Sequence, residues 1–145
     1  MLANLILGFS VMILCLLLQI ILLIYAIRYY LKHRFEPNTI SIIPNLLVIC
    51  VVMLILLIGN LGQVAVWATL FMLLDEFHLF ADAFYHSAVN FAALGYGDIV
   101  MSKDHRLLGA LEAINGVLMI GVSTAALMTP FKDALKITLK AIRDS

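Results

Sequence analysis

The chain has 145 residues, 64% of them hydrophobic and only 12% charged, with a formal net charge of zero. A soluble domain has roughly half its residues apolar and about a quarter charged, and a globule this small has too little interior to hide the excess. The composition therefore points to a membrane protein, and the balanced charge excludes a reading built on nucleic acid or an acidic substrate.

Residues 5–27 form the first apolar run, close to the ~20 residues a spanning helix needs. The opening Met1-Leu2-Ala3-Asn4 lacks the Lys or Arg of a secretory leader, so the run reads as a retained helix. Gln19 near its middle offers a bond to a neighbouring helix, though a single amide in a span is usually tolerated without a role. Cys15 and Cys50 both lie in apolar runs and read as small packing residues. The character changes at residues 28–36, where Arg28, Tyr29, Tyr30, Lys32, His33, Arg34 and Glu36 occur. Aromatic residues beside Lys and Arg mark a membrane–water interface, and short basic loops stay cytoplasmic. The expected topology therefore starts outside. Pro37-Asn38 reads as a turn, and Pro44 suits the first turn of the next helix.

The second run covers residues 42–74. As a straight helix it reaches roughly 45–50 Å, so it must tilt, kink or project into water. Gly59, Asn60, Gly62, Gln63 and Trp67 suggest a face that packs on other helices. Residues 75–106 carry five acids (Asp75, Glu76, Asp82, Asp98, Asp104) against two bases (Lys103, Arg106), which agrees with an outside loop. Inside that loop, residues 80–92 have helical composition but span only ~18 Å as a helix. A run too short to cross reads as re-entrant. Asp82 near its start suits the positive end of the helix dipole.

The third span is expected over residues 107–128. Glu112, Asn115, Gly116, Gly121, Ser123 and Thr124 make it too polar to face lipid all round, and Glu112 belongs against protein or a water-filled cavity. Pro130 reads as the end of this span. Beyond it Phe131, Leu135, Leu139 and Ile142 fall on one helical stripe, and Lys132, Lys136, Lys140 and Arg143 on the next. That pattern predicts a separate basic amphipathic helix at the inner membrane surface. The expected organisation is residues 1–40 as a first span and basic loop, 41–130 as the central unit, and 131–145 as the cytoplasmic helix.

The short segment 80–92 leads directly into Ala93-Leu94-Gly95-Tyr96-Gly97-Asp98, and the polar span follows. This order resembles the pore of potassium channels: outer helix, pore helix, Gly-Tyr-Gly filter, inner helix. The resemblance is strongest over residues 84–126, and it implies the following. The fold is all-α, with three transmembrane helices plus a re-entrant pore helix and filter loop. A filter needs four such loops around an axis, so the chain assembles as a homotetramer in the plasma membrane, N-terminus outside and C-terminus cytoplasmic. K+ is the permeant ion. No cofactor, nucleic acid or small-molecule substrate is implied, and membrane lipid is the surrounding partner. The carbonyls of Ala93, Leu94, Gly95, Tyr96 and Gly97 replace the ion's water, with Gly95 and Gly97 supplying unusual backbone angles at low cost. Asp98 concentrates cations at the outer mouth. Gly116 and Gly121 fall at inner-helix hinge positions, and Val117, Ile120, Thr124 and Met128 face the cavity. Glu112 and Asn90 are candidate filter supports. His78, His86 and His105 read as surface or packing residues. Ser87 and Ser123 lack the partners for nucleophilic catalysis, so no enzyme is expected. A non-selective monovalent cation channel and a non-conducting pore-like subunit are the alternatives.

One departure stands out. Alanines Ala92 and Ala93 occupy positions where potassium-channel filters usually carry threonine, so the hydroxyl of the innermost ion site is missing. Substituting Ala93→Thr is expected to strengthen inner-site ion binding, read as stronger block by internal divalent ions. Unchanged block with unchanged conduction contradicts that expectation.

Overall fold

The computed structural model is described over residues 1–33 and 42–143, without the side chains of 42–45, 137 and 140–142. The expected turn at Pro37-Asn38, together with Arg34 and Glu36, lies outside the described residues, as do the side chains of Lys140 and Ile142. The described residues hold four helices: α1 (Leu2–Lys32), α2 (Ile42–Leu73), α3 (Phe80–Phe91) and α4 (Arg106–Arg143). There is no strand among the described residues. Leu2–Lys32, Leu46–Leu73 and Arg106–Lys136 are each long and apolar enough to cross a membrane. The fold is therefore that of an all-α, multi-pass membrane protein. At 12 residues α3 is too short to cross.

Helices α2 and α4 form the centre. Each packs on α1 and on α3, while α1 and α3 do not meet. The buried face of α4 carries Leu108, Leu111, Glu112, Asn115, Met119 and Ser123, the three- and four-residue spacing of one helical face. Trp67, Ala68 and Phe71 of α2 pack into the same core, joined by Ala83 and Phe91 of α3.

Gly116 decides how closely α4 approaches α3. A Cβ built there would run into the backbone carbonyl of Phe91, the last helical residue of α3. Gly109 faces Asn90 and Glu112 faces Ser87, so one face of α4 lies along one face of α3. Backbone cannot move aside as a flexible side chain can, and only glycine fits at the crossing.

The attachment of α1 has a different basis. Lipid tails are as apolar as leucine, so apolar helices gain little by exchanging lipid for each other. Small residues and interhelical hydrogen bonds hold them instead. The buried residues of α1 are Asn4, Gly8, Cys15, Gln19, Ala26 and Tyr30, recurring at eleven-residue intervals in a helix otherwise rich in Leu and Ile. Asn4 Nδ2 donates to the Asp104 carbonyl at 2.5 Å, Gln19 Nε2 to Ser123 Oγ at 2.8 Å, and the Tyr30 hydroxyl to Asp133 Oδ2 at 2.6 Å. Gln63 Nε2 of α2 donates to Gln19 Oε1 at 2.7 Å. Of the two readings of Gln19, the bond to neighbouring helices is the one the structure makes. The residue is 2% exposed and links α1, α2 and α4, because a buried amide in an apolar setting needs partners.

Pro130 does not end α4, contrary to expectation, and residues 131–143 continue the same helix. Proline withholds one N–H from the helix ladder, yet spanning helices tolerate this where neighbouring groups support the chain. Here Tyr30 of α1 grips Asp133 in the next turn.

The two glycines of α4 separate packing from mere smallness. Gly116→Ala should destabilise the fold by about 1–3 kcal/mol or more through overpacking. Gly121→Ala, with open space around its Cβ, should leave stability unchanged. Thermal unfolding of the two purified variants in detergent checks this.

Candidate functional site

The site begins where α3 stops. The N–H of Leu94 bonds the Val89 carbonyl at 2.9 Å, and the N–H of Ala93 bonds the Asn90 carbonyl at 2.8 Å. Ala93 itself has φ +55°. This pair of bonds around a left-handed residue is the Schellman cap, usually built on glycine. An alanine there costs roughly 1–2 kcal/mol. The same motif ends α2, with Asp75 at φ +59° between the bonds Asp75 N–H to Met72 O and Glu76 N–H to Phe71 O.

Ala93 is also the first of a series. Gly95 has φ +58° and Gly97 φ +73°, while Leu94 and Tyr96 between them are not left-handed. A strand of uniform hand points successive carbonyls to opposite sides. Alternating hand gathers the N–H groups on one edge and the carbonyls on the other. The N–H groups of Ala93 and Leu94 are turned back onto α3. A threonine at position 93 brings a hydroxyl to the carbonyl edge but sets a branched Cβ in left-handed backbone.

Helix α3 also holds the far end of the segment. The Tyr85 hydroxyl donates to Asp98 Oδ2 at 2.7 Å, and the Ile99 N–H donates to Asp98 Oδ1 at 3.1 Å. The Tyr85 bond keeps the exposed Asp98 carboxyl below the usual carboxylate range. His86 Nδ1 lies 2.9 Å from the Ile99 carbonyl, and Asn90 Nδ2 lies 2.9 Å from His86 Nε2.

Two further contacts fix α3 from behind. Ser87, fully buried, shares its one hydroxyl proton between the Val64 carbonyl at 2.8 Å and Glu112 Oε1. Glu112 thus meets α3 at Ser87 and at the Asn90 side chain, and the Asn90 amide nitrogen also reaches His86. Nearer the surface, Glu76 accepts from the Ser102 N–H at 2.7 Å and the Ser102 hydroxyl at 2.5 Å, and pairs with His105 Nδ1 at 2.5 Å. Burial alone raises the Glu76 carboxyl, but the Ser102 and His105 contacts outweigh it and hold the carboxyl low. This clasp joins the end of α2 to the lead-in of α4.

The remaining candidates are distributed along α4. Val117, Ile120, Thr124 and Met128 lie on its exposed side in the single chain. Gly116 is buried against α3, and Gly121 has open space around it. Leu94 and Tyr96 stand 54% and 66% exposed. Sequence reasoning missed Tyr85, His86 and Ser87 as anchors. The signal was available as polar residues on a twelve-residue helix too short to span.

A family model described as an ion channel (Ion_trans_2) matches residues 54–133, more than half of the chain. The match takes in the second half of α2, all of α3, the segment after it and α4 as far as Asp133. The matched family is not an enzyme family. No curated protein and no solved structure matches the chain.

The Ser87–Glu112 contact makes a specific demand. Glu112→Gln preserves an acceptor for the Ser87 hydroxyl and is expected to melt like the parent. Ser87→Ala strips a buried carboxyl of a partner and is expected to cost roughly 1–3 kcal/mol. Thermal melts of both variants in one detergent make the comparison.

Proposed function

The chain belongs to the ion-channel family matched over residues 54–133, and on that premise we propose that it forms a potassium-selective pore through which K+ runs down its gradient. The observation that carries this reading is the left-handed backbone at every second residue, Ala93, Gly95 and Gly97. It yields a row of carbonyls on one edge, the ligand type that replaces water around K+. Because the ligands are backbone atoms, the alanine at position 93 modifies the innermost site without removing the row.

One chain contributes one such edge, and a closed filter takes four, so the working form is a homotetramer. The exposure of Leu94, Tyr96, Val117 and Met128 in the single chain supports their burial by copies or their lining of a shared cavity. Arg28, Lys32 and His33 at the end of α1 favour a cytoplasmic loop, with the N-terminus and the acidic 75–106 segment outside and the C-terminus inside the plasma membrane. In that orientation α3 runs inward, and the negative end of its dipole favours a cation below the filter. The ionised Asp98 attracts cations at the mouth. Of the two inner-helix glycines, Gly121 has the room for bending that Gly116 lacks.

Bi-ionic reversal potentials in proteoliposomes, with K+ on one side and Na+ on the other, test the reading. A potential far from zero is expected, together with loss of flux in Gly95→Ala and Gly97→Ala. A potential near zero identifies a non-selective cation pore. Absence of flux from an intact tetramer identifies a non-conducting subunit.

A further inference from the structure

His86 is the buried histidine of α3. It is 7% exposed and packs beside the rings of Phe71 at 5.7 Å and Phe77 at 5.1 Å, which also touch each other. Its two ring nitrogens have fixed duties. The Ile99 carbonyl can only accept, so Nδ1 carries the proton and donates to it. Asn90 Nδ2 is a donor, so Nε2 is left bare to accept. Both contacts are made together only by the neutral ring in its Nδ1–H form. Ile99 directly follows Asp98, and Asn90 packs against α4 at Gly109 while its carbonyl receives the Ala93 N–H. A single chain of groups therefore joins the first residue of the 93–98 segment, the helix behind it and the first residue beyond its outer end.

We propose that His86, oriented by Asn90, is a positioning residue for the ion filter, and that its neutral Nδ1–H form holds the outer end of the filter in conducting geometry. The proposal rests on the reading of residues 93–98 as a filter. A proton on Nε2 sets two donors face to face, and the Asn90 amide must turn over or the ring must leave Ile99. External acid therefore loosens the filter.

The surroundings fix the sign. Burial pushes the His86 imidazole below the usual histidine range, against the opposing pull of the Ile99 carbonyl and the Asp98 and Glu76 carboxylates. On its own helix Asp82 sits one turn earlier and Tyr85 is occupied by Asp98. From α4 the nearest carboxyl along the packed face, Glu112, is engaged with Ser87, and His105 is engaged with Glu76. A base that binds its proton less well folded than unfolded loses its contribution as pH falls below about 6.5.

The test uses proteoliposomes whose outer face is moved from about pH 7.5 to about pH 4.5, through and below the ordinary histidine range. Wild-type K+ flux should fall several-fold. His86→Gln, whose amide does not titrate, should lose the acid response, its flux at acid pH matching its own flux at about pH 7.5. Asn90→Asp offers an acceptor to a protonated ring, so the cation keeps both contacts, and this variant too should lose the acid response. An acid response unchanged in His86→Gln overturns the proposal. Histidine-selective 15N NMR of the tetramer at about pH 7.5 gives a readout independent of flux. A neutral ring protonated at Nδ1 is expected, and a ring protonated at Nε2, alone or as the cation, overturns the assignment even where no conduction is measured. Absence of flux with the Nδ1–H ring intact counts against the pore reading instead.

Discussion

Ala93 does two things at once, and much of the site depends on that coincidence. Its left-handed backbone closes the Schellman cap of α3, and the same φ opens the alternation continued by Gly95 and Gly97. The cap draws the first two N–H groups of the segment onto the helix. The cost of holding alanine in this region, roughly 1–2 kcal/mol, is offset by the two cap bonds and by the anchors at the other end, where Tyr85 and His86 reach Asp98 and Ile99. A helix of 12 residues thus holds both ends of the loop that follows it.

That helix needs a rigid backing, and α4 provides it. Gly116 lets the two backbones meet at Phe91, Gly109 receives Asn90, and Glu112 receives Ser87. Ser87 also touches the Val64 carbonyl, so α2 closes the other side. Polar groups so deeply buried are hard to accommodate unless they are paired, and pairing them across three helices specifies a single arrangement.

Much of this was legible in the sequence. Apolar run lengths located the three spans, and the shortness of residues 80–92 marked a helix that cannot cross. Glycine at positions 95 and 97 pointed to unusual backbone. What was not legible depended on partners distant in sequence. Gln19 is one amide in an apolar run until Ser123 and Gln63 are known to face it. Pro130 carries a stop signal that neighbouring helices override. His86 has a defined tautomer only because Ile99 and Asn90 sit where they do. Ala93 has an ordinary side chain, and its backbone conformation follows from hydrogen bonds that composition does not reveal. The eleven-residue recurrence in α1 was present in the letters, but it gains meaning once those six residues prove to be the buried ones.

The three bonds from α1, at Asp104, Ser123 and Asp133, lie at three depths along the path of α4. Residue numbers rise together in both helices, so the two run in parallel like rails joined by rungs. Such a frame shears as one body, and α4 cannot tilt unless α1 tilts with it or a rung breaks. Helix α1 is the least buried of the three spans and meets the most lipid in the single chain. Tilt is how a long span adjusts to bilayer thickness. A change in the tilt of α1 is therefore passed to α4 for as long as those bonds hold.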